Sequence, residues 1–418
     1  MKKIAFLFTI FAGMFLISCD NVPLPCNCGD ETGKPEPLKI ASDSTLVAQG
    51  NAFAMKFFAV ANAQNPDDEN IVLSPLSLNM ALAMVWNGAN GETKTAIQTA
   101  MGMENYAPEE VNEYFKTIRE GFMQTDAANT QLALANSIWY RPDFPVKQPF
   151  IDLNLQYYNA QVEQLDFRLP NACDILNQWC SDNTNGLIDD MFQPPISTDV
   201  VMYLINALYF KSIWADSLAF DPEETQQTYF YKTQTEQIPV QMMHQKNDFQ
   251  YFSDENLQLL TIPYGNGAFT MNFVLPQYNK TFTEMLTALN APNYWNNCLN
   301  NRYLWHNFDI FIPKFKVRYD KKLNDILTEL GMGIAFDEYR ADFSEISDWQ
   351  IFISKVQQKT YIDVNEAGTE AAAVTAVEFV NTSVPPAFMA NRPFLFVIQE
   401  ESTGVVLFMG KINNPIYE

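Results

Sequence analysis

Side chains able to do chemistry are few in kind in this chain. It holds two histidines, His244 and His306; that is too little imidazole for a His-rich metal site, and no H-E-x-x-H pair is present. His244 lies beside Met242 and Met243 in a strand-like run and His306 beside Trp305, so both read as structural. Paired acids recur at Asp67-Asp68, Glu109-Glu110, Asp189-Asp190, Glu223-Glu224 and Glu400-Glu401. Adjacent side chains on a strand point to opposite faces, so these pairs make poor acid/base dyads and read as solvated surface. Gly331-Met332-Gly333 and Gly265-Asn266-Gly267 complete no nucleotide fingerprint and read as turns. Among the six cysteines, Cys26 and Cys28 lack the spacer of a zinc pair and Cys298 stands alone. Cys173 and Cys180 share a helical pattern, about 10 Å of rise apart and too far to bridge. No catalytic residue, cofactor or metal is expected.

One stretch stands out. From Glu366 to Val384 the chain alternates by parity, with Thr369, Ala371, Ala373, Thr375, Val377 and Phe379 forming one face without a charge. The other face carries Glu370, Ala372, Val374, Ala376, Glu378 and Val380. Period-two alternation describes a strand with one buried and one wet face. Yet Gly368 and the alanines are poor strand formers, and small residues suit a segment that slides between neighbours. Pro385-Pro386 stops the run. It reads as a central strand of small residues or as a long functional loop.

The rest of the chain must position that stretch. With 418 residues, 47% hydrophobic and 18% charged, it can bury a large core and is not a disordered chain. The net charge of -23 argues against nucleic acid as a partner. Helical spacing of Phe53, Phe57, Phe58 and Ala61 predicts a helix over Asn51–Ala63. Ser74 reads as an N-cap with Pro75 at the first helical position, opening an apolar, buried helix over Leu76–Asn87. Strands are expected at Val201–Phe210, Leu257–Pro263, Phe269–Leu275, Phe308–Phe315, Ile351–Val364, Phe394–Gln399 and Val405–Met409, and a helix at Lys321–Leu330 stopped by Gly331. The order, helices and then many strands, predicts an α+β protein with mostly antiparallel sheets.

Four motifs carry a family resemblance. Glu366 through Ala373 resembles the hinge of the serpins, the serine-protease-inhibitor superfamily. Asn70 through Ser77, Asn206 through Lys211 with Trp214, and Asn391 through Phe396 with Gly404 through Pro415 resemble, in order, that family's early strand-to-helix motif, central strand and closing strands. The resemblance implies several helices packed on three mostly antiparallel sheets, with an exposed reactive-centre loop. A target protease cleaves the loop, which then inserts as a new strand and traps the protease as an acyl-enzyme.

Counting along the loop as the family does implies a reactive bond at Thr382–Ser383, suited to elastase-like or subtilisin-like proteases. Phe379, Val380 and Asn381 are alternative bait positions; cutting after Asn381 would suit papain-like cysteine proteases. Glu366, Gly368, Thr369, Glu370, Ala371, Ala372 and Ala373 would form the hinge, whose small uncharged buried face suits insertion. Ser74, Ser77 and Asn206 match the family's shutter beneath the opening strands, where Gln358 replaces a common histidine. Trp214 matches the tryptophan where insertion starts. The implied partners are target proteases, met by a monomer; the alternative is a non-inhibitory serpin acting as a binding or scaffold protein.

The N-terminus reads separately. Lys2 and Lys3 precede an apolar run too short to span a membrane comfortably, shaped like a signal peptide over residues 1–18. Leu16 through Cys19 resembles a bacterial lipobox, which implies lipidation at Cys19, a Pro- and Gly-containing tether over 19–41, a folded domain over 42–418 and anchoring in the cell envelope. The membrane would be met through the lipid alone.

Overall fold

Capping chemistry sets the first helices. Asp43 accepts hydrogen bonds from the amides of Thr45 and Leu46 and starts the helix Ser44–Ala63, one turn and more ahead of the expected start. Ser74 accepts from the Ser77 amide, Pro75 takes the first helical position, and Pro75–Trp86 follows as a helix buried nearly all round, as its apolar sequence requires. Residues 39–65, 69–124, 130–215, 217–369 and 387–417 of the computed structural model are described here; they belong to one compact unit, Glu36–Glu418. The expectations for the signal segment, Cys19 and most of the tether fall outside the described residues. So do those for Glu370, Ala371, Ala372, Ala373, Phe379, Val380, Asn381 and the Thr382–Ser383 bond.

Helices Gly91–Met101, Pro108–Gln124 and Gln148–Tyr158 continue the N-terminal half. They are followed by Ala172–Asn183, which buries both Cys173 and Cys180 as free thiols. A six-stranded sheet has the order Phe315–Lys322, Gln357–Asn365, Gly368–Thr369, Met202–Ile213, Thr130–Tyr140, Gln161–Gln164. All its neighbours run antiparallel except the last pair. The strands Met202–Ile213 and Thr130–Tyr140 are covered on both faces. Helix Pro75–Trp86 packs against the strand Met202–Ile213, while Trp139, Ile205 and Ala207 join a separate apolar cluster with Leu176 and Trp179 of helix Ala172–Asn183.

The remaining strands form one nine-stranded sheet, eight of them along a single path and Gln226–Tyr231 paired beside it with Gln237–Ser253. The two further sheets that the resemblance implied are hydrogen-bonded into this path, because the strands Gln237–Ser253 and Tyr303–Pro313 run through both and bend at a register shift between Asn247 and Phe249. The expected strand Phe308–Phe315 is in fact two, Tyr303–Pro313 and Phe315–Lys322, split at Lys314. The expected strand Ile351–Val364 begins only at Gln357. The helix expected over Lys321–Leu330 starts later: Lys321 and Lys322 end a strand, and an α-helical turn at Asn324–Leu327 passes into a wider helical turn from Thr328. Gly331, at φ 106°, provides the stop, a backbone conformation that favours glycine.

Candidate functional site

The site is the upper end of the six-stranded sheet, where the stretch that broke the strand pattern begins. Gly368 and Thr369 pair on one side with Asn365 and Val364 and on the other with Ile213 and Ser212, so two residues form a short strand between two long ones. At this level the flanking strands stand two strand spacings apart, roughly 9.5 Å. Among the described residues, no ladder joins the two long strands directly below that point.

Gly368 is required there by space. Its φ is +145°, and a Cβ on it would meet the Ser212 carbonyl oxygen at 2.3 Å and the Ile213 Cα at 2.5 Å. Thr369 is buried and shares a hydrogen bond of 2.8 Å with the Tyr264 hydroxyl. Burial pushes the Tyr264 phenol well up, so it stays protonated. Trp214, fully buried, stacks on the Tyr264 ring at 4.6 Å and donates its indole N–H to the Asn365 carbonyl at 3.0 Å. Its amide donates to the Ala367 carbonyl, completing a backbone tie to the turn at 366–367.

Glu366 anchors that turn. Its carboxylate lies 2.8 Å from the Lys314 ammonium and accepts from the Thr225 hydroxyl at 2.8 Å. Both members of the ion pair are buried, with side-chain exposures of 2% for Lys314 and 7% for Glu366. The Phe220 amide donates to the Glu366 carbonyl. Lys314 also lies over the Tyr417 ring, 4.4 Å from its centre.

The shutter residues divide into two groups. Gln358 closes a two-bond ring with Ser74, donating to its carbonyl at 2.8 Å and accepting from its amide at 3.0 Å. The Ser74 hydroxyl donates to the Leu407 carbonyl and accepts from the Ser77 amide. Ser74 is therefore a helix cap and also a bridge between two sheets. Asn206 is elsewhere: its amide donates at 2.6 Å to Asn136, which donates on to the Tyr158 carbonyl and approaches Met80 Sδ. The Asn206 side-chain oxygen has no hydrogen-bond partner among the described residues.

Four residues of this site were not singled out from sequence: Lys314, Tyr264, Thr225 and Asn365. Lys314 carried a readable signal, a lysine inside the apolar run Phe308–Phe315 that burial makes costly unless an acid meets it. The others carried none, since their partners are remote in sequence. His244 lies within hydrogen-bond distance of Glu224 and Asp309, and His306 within hydrogen-bond distance of Asp248.

Comparison with known proteins places this geometry. A family model described as Serpin (serine protease inhibitor) matches residues 48–415. An uncharacterized serpin-like protein of Methanosarcina acetivorans is 32% identical over 393 residues, covering 90% of this chain and 89% of that protein. Human neuroserpin is 31% identical over 366 residues, with 84% and 87% covered. The native state of tengpin, a thermophilic serpin, superposes with a TM-score of 0.78 at 30% identity over 92% of this chain and 98% of the other. Thyroxine-binding globulin in complex with thyroxine does so with a TM-score of 0.80 at 26% identity over 89% and 100%. A strand seed between two long strands, tied down by a buried ion pair and a tryptophan stack, thus sits in a framework shared along nearly the whole chain, and the chain belongs to the serpin family.

Proposed function

We propose that this serpin inhibits proteases as a suicide substrate. The target's nucleophile attacks the carbonyl of Thr382, the bond to Ser383 breaks, and residues from Gly368 to about Val380 enter the sheet while the acyl-enzyme is intact. The observation that carries this reading is the double pairing of Gly368 and Thr369, which starts such a strand in register with both neighbours. Continuing it over about 12 residues would form roughly 12–20 backbone hydrogen bonds at about 1 kcal/mol net each. The total, on the order of 10–20 kcal/mol, matches a whole domain's stability and is enough to distort a bound enzyme. The side chains that would turn inward are Thr, Ala, Val and Phe, so insertion buries no charge.

The targets this bait suits are elastase-like or subtilisin-like serine proteases, with papain-like enzymes next. The lipobox-like segment supports anchoring at Cys19 in the cell envelope; Cys19→Ala should move the protein from the membrane to the soluble fraction. The inhibitory reading is tested by incubating residues 42–418 with elastase-, subtilisin-, chymotrypsin- and papain-like proteases. A denaturation-resistant adduct and a released fragment beginning at Ser383 are expected. The second reading, a binding protein with a passive loop, is favoured by the likeness to a globulin solved with thyroxine bound. It requires clean cleavage without an adduct and no rise in melting temperature after the cut.

A further inference from the structure

The two ends of the loop are held by different parts of the molecule. The first end, Glu366, is gripped by a bracket at 220–225: the Phe220 amide donates to its carbonyl and the Thr225 hydroxyl to its carboxylate. The second end is the strand Ala387–Met389, docked in parallel on Tyr303–Pro313 with Ala387 opposite Asp309 and Met389 opposite Phe311. Beside the backbone ladders that run from Gln226 through Gln237–Ser253 to Tyr303–Pro313, one imidazole links bracket and strand through side chains. His244 Nδ1 lies 3.3 Å from Glu224, the residue before Thr225, and its Nε2 lies 3.1 Å from Asp309, the residue opposite Ala387. Lys246 approaches Asp309 from the same strand at 2.9 Å. The His244 ring stacks on Phe311 at 4.6 Å, so its place in the sheet is secured by packing and its two nitrogens are left for the carboxylates.

The geometry points to His244 as a positioning residue that couples the two ends of the loop, so that loosening the bracket at Glu366 loosens the docking of Ala387–Met389 and the reverse. The inference builds on the reading of residues 367–386 as the reactive loop. Its use would lie before cleavage. The uncut loop is tied at both ends, at Glu366 and at Ala387–Met389, and a link between the ties makes release of either end require release of both.

Hydrogen exchange on the intact, protease-free chain tests the coupling, and it does so whether or not the protein traps a protease. Two amides report the two ends: Phe220, bonded to Glu366, and Ala390, bonded to the Phe311 carbonyl just beyond the docked strand. His244→Phe keeps a ring against Phe311 and removes both polar links. Exchange at both amides should then quicken together, by roughly threefold to tenfold, with the Val397 amide of the core as an unchanged reference. Glu224→Gln, at an exposed position that folding tolerates, should quicken the Ala390 amide as well, although Glu224 does not touch that strand. Quickening confined to Phe220, or no change in either amide, would overturn the coupling; a role limited to packing gives that null result in His244→Phe. Failure to form an adduct with any protease, with the paired exchange intact, would count against the inhibitory reading and leave the link standing.

Discussion

The carboxylate of Glu366 and the ammonium of Lys314 meet at 2.8 Å with both side chains almost fully out of water, at the residue where the loop leaves its strand. Removing one partner of such a pair strands the other charge, at a cost of about 3–5 kcal/mol, although the pair itself adds little over an apolar replacement. Glu366→Gln should therefore lower the denaturant midpoint markedly. Lys314→Met with Glu366→Leu should recover most of the loss. A double variant as unstable as the single one would mean that the Thr225 hydrogen bond and the Lys314–Tyr417 contact, not the charges, matter most.

Thr369 tests insertion itself. Its side chain is buried against Tyr264 in the first pair of the new strand, so Thr369→Arg would have to bury a charge at the point where insertion begins. The protein should then be cleaved as a plain substrate, with no adduct and no gain in melting temperature after cleavage. Retained inhibition would defeat the insertion argument.

Gly368→Ala asks a sharper steric question at the preceding residue. The added methyl would meet backbone, not a side chain that can swing away. At φ +145° an L-residue is strained as well. Displacement of the Gly368–Thr369 strand should follow, seen as faster exchange of the Trp214 amide, which is bonded to Ala367.

Gln358 stands where the family resemblance led one to look for a histidine, and it meets Ser74 through both its amide atoms. Gln358→Leu would leave the buried Ser74 N–H without its partner, while the Ser74 carbonyl keeps the Leu78 amide, for a loss of about 1–3 kcal/mol. Gln358→His can restore one bond at most in its neutral form, so chemical unfolding should rank it between the two. Equal stability of the Leu variant and the parent would show the ring to be dispensable.

Local chemistry was legible in the sequence, and remote contact was not. Ser74 and Pro75 announce a helix start because capping depends on neighbours along the chain, and that helix begins where they say. Parity placed Thr369 on the buried face, and it is buried. Nothing along the chain indicates that Thr369 meets Tyr264, since 105 residues separate them, or that Asn206 joins Asn136 in place of Ser74 and Gln358. The strand Phe315–Lys322 was read partly as helix because Lys321 through Leu330 supplies good helix formers, while the ladder to Gln357–Asn365 claims its first two residues. Lys314 falls between: the sequence shows a lysine in an apolar run, and only the fold shows Glu366 waiting for it.

The acid limb of stability offers a last test, at Asp309. Partial burial opposes its charge, but Lys246 and then His244 more than offset that and hold the carboxyl below its ordinary value. A carboxyl whose folded pKa is depressed contributes stability that is fully present above its unfolded value, about 3.9, and is lost as pH falls through the folded value. Asp309→Asn should lower the urea midpoint at pH 7 and leave it nearly unchanged at the lowest pH where the protein still folds, so that the two curves converge on acidification below pH ~4. Parallel curves over that range would mean that Asp309 acts through its backbone pairing with Lys246 and Ala387 alone, and not through its charge.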